Sequence, residues 1–451
     1  MAEAYKDLDP ATMPRSTGLT YQDLLDQDSH AVPEVLRSES PKDMGTNEFS
    51  VTRYTTAAYH DKEVEHLWKK VWQMACREEE IPLPGDHMRY DIAGMSFIVV
   101  RTETGDIKAF PNACLHRGRM LKEHDGNAAE LRCAFHGFCW KLDGSFSDIP
   151  ADWDFPQVDQ DNFDLPALPV AIWEGFIFIN PDQNCGPFED FIKDLAKQFE
   201  RWELGSLYKA AHVAKVMPCN WKIAQEAFCE AYHVSGTHPQ ILRSLGDVNS
   251  QVDIWENCAR VITPGGTSSP LLDYAVSNDD ILRTNMDLDH DADAPEVPEG
   301  MHMRTFLAER ARTNLRPAAG DLVDKYCDAE MIDSLDYTLF PNFHPWGAFN
   351  GIVYRFRPNG NDHRSAIMEC IMLAPFSGER PAPAETHWLE AHESWSTALG
   401  YLGKVFDQDA FNMPRVQEGL ESTYQTGVVL SGYQESKVRW LHHKLTEWIG
   451  E

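Results

Sequence analysis

Two short stretches, Cys114-Leu115-His116 and Cys133-Ala134-Phe135-His136, each offer one thiol and one imidazole, with 16 residues between the first His and the second Cys. A [2Fe-2S] cluster held by two Cys on one iron and two His on the other needs two such loops, each giving one ligand to each iron. Imidazoles are neutral where thiolates are anionic, so this ligand set raises the potential above that of an all-thiolate cluster and suits a group that both accepts and donates electrons. Gly118 and Gly137 fall where such loops must turn. The rival is a structural zinc site, which uses the same residue types but pairs like with like, Cys beside Cys and His beside His.

A second constellation lies in Gln225-Glu-Ala-Phe-Cys-Glu230-Ala-Tyr-His233-Val-Ser-Gly-Thr-His238-Pro239. On a straight helix Glu230 and His233 are about 60° apart and His233 and His238 about 140° apart, so both His reach one ion only if the helix loosens or ends between them. Gly236 and Pro239 supply that break. Two His and one carboxylate make the facial triad of non-haem Fe(II) oxygenases, with positions left open for dioxygen. The carboxylate is sought near the C-terminus, on the apolar stripe Leu402, Phe406, Met413, Val416 and Leu420, where Asp409 completes the helical spacing. A carboxylate there is costly to bury unless it is paired or bound to a metal. Asp407, about 200° around the helix, reads as solvated charge, and Pro414 as a kink one turn on. The alternative for His233, His238 and Asp409 is a satisfied polar network in the core.

The words around the first site, Cys114-Leu-His-Arg-Gly-Arg119 and Cys133-Ala-Phe-His-Gly-Phe138, then Trp140 and Asp143-Gly144, resemble the two cluster loops of Rieske proteins. With the second site, and with Trp68 and Trp72, Asn220-Trp-Lys222, Phe340-Pro-Asn342 and Gln417-x-Gly-Leu420-x-Ser422, the chain from about residue 50 to 450 resembles the catalytic alpha subunit of Rieske non-haem iron ring-hydroxylating oxygenases. The resemblance implies a Rieske domain followed by a helix-grip, START-like catalytic domain with an antiparallel sheet, assembled as a homotrimer, with or without a small beta subunit. It implies a [2Fe-2S] cluster on Cys114, His116, Cys133 and His136, and mononuclear Fe(II) on His233, His238 and Asp409. Glu230 would link His136 of one chain to His233 of the next, where the family usually has Asp. The implied activity is that of a terminal oxygenase. It would take O2 and electrons from NAD(P)H through a ferredoxin or flavin reductase, to cis-dihydroxylate or monohydroxylate an aromatic or polycyclic hydrophobic substrate. Alternatives are O- or N-dealkylation, a Rieske electron carrier without oxygenase activity, and a zinc-stabilised binding protein.

The elements that must position these residues are legible in outline as an α+β chain. Residues 1–50 are polar and rich in Asp, Ser and Pro, with one amphipathic piece at 21–25, and read as an extended arm that could lie against a neighbouring subunit. Residues 51–182 hold a leading helix, expected over 55–80, and a small β domain with the cluster loops. Residues 183–451 read as the catalytic domain: helices at 188–199 and 221–234, strands at 211–218, 252–261, 331–340, 351–357 and 366–373, and helices packed on one side of the sheet. Residues 262–330, with a helical middle at 301–313, look like a lid-like insertion.

Aromatic residues Phe228, Phe340, Phe343, Trp346 and Phe349 fall near the expected pocket. Arg117, Arg119, Lys122, Arg132 and Lys141 suggest a basic patch by the cluster for an acidic electron donor. The net charge of −31 argues against nucleic acid or an anionic membrane as partner. With no apolar run near the ~20 residues of a membrane helix and no signal sequence, the expectation is a cytoplasmic protein. The eight Cys outside the cluster motif show no disulfide spacing; Cys139 beside the cluster reads as a buried thiol, with a redox-sensitive one as the alternative.

Overall fold

The computed structural model describes residues 18–289 and 291–450; residues 1–17 of the expected arm lie outside the described residues. The rest of the arm packs on its own chain. The helix Tyr21–Leu25 buries Tyr21, Leu24 and Leu25, and Tyr21 donates to Asp333 Oδ2 at 3.0 Å.

The leading segment is shorter than its periodicity predicts. Helix Ala57–Glu63 widens into a π-turn at Val64–Trp68 and stops, and Met74 sits in a strand, Gln73–Arg77. That strand pairs with Phe176–Ile179, which claims its backbone hydrogen bonds. The β region around it has a four-stranded sheet of Ile107–Pro111, Met95–Arg101, Asp86–Ile92 and Gly126–Asn127, and a three-stranded one of Leu131–Arg132, Cys139–Trp140 and Phe146–Asp148. The continuous run Phe97-Ile-Val-Val100 has a physical reason: Ile98 and Val100 enter the core under the two Cys/His loops, whereas Phe97 and Val99 enter the core shared with the C-terminal half.

The C-terminal half is an eight-stranded sheet in the order Gln251–Ile254, Cys258–Thr263, Ser334–Leu339, Phe343–Pro345, Ile352–Pro358, Ala366–Ala374, Tyr208–Met217, Thr386–Leu389. All neighbours are antiparallel except the last pair. The expected strand 252–261 is a hairpin, and 331–340 begins as the end of a helix, Asp328–Ile332. Both faces of the sheet are covered, not one. Ile352, Tyr354 and Phe356 pack with the helices Trp221–Glu226, Trp395–Ser422 and Ser436–Ile449, while Val353, Ile371 and Leu373 pack against helix Phe188–Phe199.

On that second face Glu369 accepts from Arg355 Nη2 and Nε, both at 2.7 Å, and from Arg357 Nε at 3.0 Å. Arg355 also donates to the carbonyls of Met74 and Ala75, tying strand Gln73–Arg77 to the sheet. Burial disfavours the charge on Glu369, but the two guanidiniums outweigh it and hold the carboxyl well below its usual range. Glu369→Ala leaves two buried guanidiniums without their counter-ion and is expected to cost about 3–5 kcal/mol, read as a fall of several degrees in the thermal midpoint.

Candidate metal centres

The two cluster loops are near copies of one turn. In each, the Cys N–H donates to the carbonyl five residues on (Arg119 or Phe138, both 2.8 Å), and the Gly four residues on donates back to the Cys carbonyl (both 2.9 Å). Gly118 and Gly137 take φ of +73° and +83°, and a Cβ on Gly137 would sit 2.9 Å from Pro150 Cγ. Cys114 and Cys133 are buried at the base, their sulfurs faced by backbone N–H groups of His116, Arg117, Phe135 and His136. The rings of His116 and His136 stand 4.8 Å apart, with His136 exposed. Phe138 stacks on His116 at 4.6 Å and 9°. Two inner thiols with N–H donors to their sulfurs and two outer imidazoles fit a [2Fe-2S] cluster with differentiated irons. Cys139 is fully buried and its thiol is pushed up to about 12, chiefly by burial, so it is a small core residue and not a reactive thiol.

The expected basic patch is reduced, with two of its five cations paired to carboxylates while Lys141 stays exposed. Arg119 pairs with Glu123 at 2.6 Å, Arg132 with Glu130 at 2.5 Å, and Lys122 donates to the Glu130 carbonyl. What the loop tips present is Arg117, 3.0 Å from His136 Nε2, over the exposed ring of Phe135, and Leu115 beside them.

At the second site the helix ends sooner than expected. Asn220 caps it by accepting from Lys222 N at 3.1 Å, but it stops at Glu226, and Glu230 to His233 form a turn before a short helix, Val234–Thr237. The break precedes Glu230 instead of falling at Gly236, which leaves His233 and His238 at the two ends of that short helix. His238 leaves it with φ −124° and ψ 51°, the non-helical geometry that Pro239 imposes on its predecessor.

Asp409 comes from the long helix, where Gly403, Phe406, Asp409, Met413 and Gln417 form the buried stripe; Val416 is 47% exposed, and Gln417 takes the inward place to accept from Asn220 N. The irregular point of this helix is Gly400, with φ 57° and ψ −128°, and not Pro414. Asp407 is no free surface charge, since it accepts from the N–H groups of Trp395 and Ser396 where the chain folds back at that kink.

His238 Nε2 lies 3.0 Å and His233 Nε2 3.6 Å from Asp409 Oδ1. Each ring's other nitrogen has its own acceptor: His233 Nδ1 meets Glu230 Oε1 at 2.8 Å, and His238 Nδ1 meets Gln408 Oε1 at 2.8 Å. Gln240 Nε2 donates to the same Gln408 oxygen at 2.7 Å. Acceptors at both Nδ1 atoms favour the tautomer whose Nε2 lone pairs would ligate an ion held beside Asp409. Ligands about 2.1 Å from one ion at right angles are about 3 Å from one another, so the donor set fits a mononuclear divalent ion. Burial opposes charge on His233, but the Glu230 carboxylate and then Asp409 outweigh it and lift the ring to about 8. Gln408→Leu is expected to weaken ion binding about 10–100-fold, measured by Fe(II) titration with the cluster spectrum as an internal control.

Two cavities flank this triad. The outer chamber, about 490 Å3, is lined by Ile223, Glu226, Glu230, His233, Asp409 and Met413 among others. The inner one, about 150 Å3, has an aromatic wall of Phe228, Trp346, Tyr354 and Phe406, with Tyr354 and Phe406 4.9 and 5.6 Å from Phe228. Of the five aromatics expected there, Phe340, Phe343 and Phe349 pack elsewhere, against Trp440, Phe176 and Tyr326. Sequence reading missed Gln408, Tyr354 and Asp336. Asp336 gave no signal either, because it alternates with Leu335, Tyr337 and Leu339 on the same face as Ser334 and Thr338 and so reads as solvent-facing. It lines the inner cavity, and burial lifts its carboxyl to about 6 despite Lys437 at 2.7 Å.

Residues 195–451 match the family described as ring hydroxylating alpha subunit (catalytic domain), and residues 71–159 match the Rieske [2Fe-2S] domain. The chain belongs to the ring hydroxylating alpha subunit family, whose two domains carry a Rieske cluster and a mononuclear iron. It is 28% identical over 209 residues to the biphenyl 2,3-dioxygenase subunit alpha of Rhodococcus jostii (strain RHA1), covering 45% of each chain. It is 29% identical over 196 residues to the carnitine monooxygenase oxygenase subunit of Acinetobacter pittii (strain PHEA-2), covering 43% of this chain and 53% of that one. The chain thus spans about half the length of the curated relatives it matches. A solved quaternary ammonium Rieske monooxygenase shares the fold with a TM-score of 0.64 at 20% identity, over 89% of this chain and 95% of that one. Naphthalene 1,2-dioxygenase from Rhodococcus sp. does so with 0.59 at 20%, over 89% and 94%.

Proposed function

We propose that this protein is the terminal oxygenase of a multicomponent Rieske system, with Cys114, His116, Cys133 and His136 holding the cluster and His233, His238 and Asp409 holding Fe(II). The observation that carries the reading is the convergence of His233, His238 and Asp409 at the wall of an apolar cavity, each imidazole with its second nitrogen already occupied. An electron carrier has no use for such a site. When bound, the iron supplies the centre at which dioxygen is activated with electrons delivered through the cluster. The chain's own residues do the rest. Glu230 and Gln408 fix the imidazoles, the aromatic wall keeps water from the substrate, and Glu230 at the rim of the outer chamber reaches toward His136 of a neighbouring copy. That bridge makes the protein a head-to-tail homotrimer. A ferredoxin or flavin reductase drawing on NAD(P)H is the electron source.

The balance is substrate, O2, two electrons and two protons, giving either a cis-diol or a hydroxylated product and water, the latter also covering dealkylation. Within the aromatic or polycyclic class expected from sequence, a cavity of about 150 Å3 favours a one-ring or short-chain substrate. The test is a single turnover. Protein reduced with dithionite, freed of excess reductant and mixed with O2 and a substrate panel of benzenoid hydrocarbons and methylated amines, is expected to give an oxygenated product carrying 18O from 18O2. Cluster reoxidation with no label incorporated from any of them would overturn the reading in favour of an electron carrier.

A further inference from the structure

The two imidazoles of the cluster site face different surroundings. His136 stands exposed beside Arg117, whereas His116 forms part of a groove of about 390 Å3, with Leu115, Phe138, Phe155, Val158 and Asp159 among its walls. Phe155 meets the His116 ring edge-on at 5.9 Å, and Phe138 stacks on it. One side of the groove is built by the segment 148–164. Between Lys141 and Lys193 the chain has no Lys or Arg, yet residues 143–164 carry seven Asp. Asp152, Asp154, Asp159 and Asp161 are exposed, and none of the four pairs with a Lys or Arg among the described residues; Asp152 and Asp159 accept only from N–H groups of their own segment. Trp153, on the turn Asp152–Asp154, is 80% exposed with an Asp on either side of it. An exposed Trp ringed by unpaired carboxylates at the mouth of an apolar groove has the make-up of a binding anchor with its polar rim.

We propose that the electron donor of this protein docks on the groove beside His116 through a basic face, so that electrons enter the cluster at His116 and leave it at His136. The polarity is the reverse of the one that the cations of the cluster loops suggest. Three features support it. The proposed link from Glu230 commits the His136 side to a neighbouring chain, which leaves the His116 side for the donor. The carboxylates around Trp153 steer a lysine- or arginine-ringed partner to that side and repel an acidic one. The indole gives such a partner both apolar area and a ring face on which a guanidinium or ammonium can lie. A second copy of this chain, with its net charge of −31, is opposed by the same carboxylates.

This inference rests on the oxygenase reading for the need of a protein donor and for the neighbour at His136, and the two fail differently. The probe is ferricytochrome c, a small protein whose haem edge is ringed by lysines. Holoprotein reduced with dithionite and freed of excess reductant is mixed with it under anaerobic conditions; one electron leaves the cluster and the haem iron goes from ferric to ferrous. The rate is expected to fall at least about tenfold between about 0.01 and 0.15 M salt, as the screening length shrinks from about 30 to about 8 Å. The triple change Asp152→Asn, Asp154→Asn and Asp159→Asn keeps an acceptor oxygen at each position, and is expected to slow the low-salt reaction about tenfold and to flatten its salt dependence. Trp153→Ala is expected to slow it about tenfold at both salt concentrations. Changing the exposed Glu379, Glu385 and Glu390 to Gln removes the same charge elsewhere and is expected to alter the rate less than about twofold. A rate that is flat or rising with salt, one untouched by the Asp and Trp153 changes, or one lowered equally by the Glu control overturns the proposal. So does a loss of the native oligomeric state in Trp153→Ala, which assigns the groove to a second copy. Neither O2 nor the mononuclear iron takes part in this reaction, and the dithionite-driven 18O turnover needs no donor protein. Label incorporation without dependence on Asp152, Trp153, Asp154 and Asp159 sinks this inference alone, and that dependence without label incorporation sinks the oxygenase reading alone.

Discussion

Asp409→Ala is expected to yield a folded, red-brown protein with two irons per chain in place of three, and product formation reduced by more than about 100-fold, because two imidazoles alone do not hold a facial-triad ion. The fold should tolerate the change. Asp409 is buried on a helix beside two imidazoles, and its loss removes a buried charge from a position where Ala is the best helix former. The cluster loops are separate, with their own core of Ile98, Val100, Phe110 and Trp140, so the visible spectrum should not move. Asp407→Ala two residues away is the control. It removes the acceptor for the Trp395 and Ser396 N–H groups, and is expected to cost about 1 kcal/mol, as the loss of a cap does, with all three irons retained. Iron and sulfide analysis of the two anaerobically purified variants checks both statements. A third iron persisting in Asp409→Ala would remove Asp409 from the ligand set.

The convergence of His233, His238 and Asp409 was legible from two closely spaced His, the second held out of helix by Pro239, and a carboxylate on an apolar stripe, although Gly236 proves to lie inside the short helix between them. The geometry that brings them together was not. Periodicity ran the helix through to Val234, yet it stops at Glu226, and the turn that follows is held by the Glu230 carboxylate accepting from His233 N and Nδ1, a contact no spacing rule encodes. Met74 likewise fitted a helical stripe but lies in a strand, because strand Phe176–Ile179, about a hundred residues on, supplies its partner. Gln408 was invisible for a simpler reason: an amide one residue from the proposed ligand Asp409 has no pattern, and its contacts exist only once Gln240 and His238 are brought to it. The basic patch is weaker than charge counting suggests because a chain with 71 acidic and 40 basic residues places Glu123 and Glu130 beside two of its five cations, Arg119 and Arg132. Its surviving elements, Arg117 over Phe135 beside His136, are a narrower and more apolar docking tip than charge counting suggests.

Glu230→Gln is expected to have the second large effect, and its two components can be told apart. In the native turn both carboxylate oxygens face donors, Oε1 the Nδ1 of His233 and Oε2 its backbone N–H, each at 2.8 Å. Gln offers one acceptor and one donor, so either the ring or the turn loses its contact, and Fe(II) affinity is expected to fall about 10–100-fold. Supplying excess Fe(II) restores occupancy and isolates the second component, the proposed link to His136 of the neighbouring chain. A neutral amide there can neither hold two imidazoles by their N–H groups nor offset their charge as electrons pass. Reoxidation of the reduced cluster on mixing the iron-replete variant with O2 and substrate is expected to slow by at least about 100-fold. A variant that reoxidises at the native rate once iron is restored would confine Glu230 to holding His233 and would remove the bridge between chains. Glu230→Asp separates reach from charge: it keeps the carboxylate but is one methylene shorter, so it can keep the bond to His233 N or the one to Nδ1 but not both. Slow reoxidation in both iron-replete variants would mean that the length of Glu230, and not its charge alone, is matched to the gap it spans.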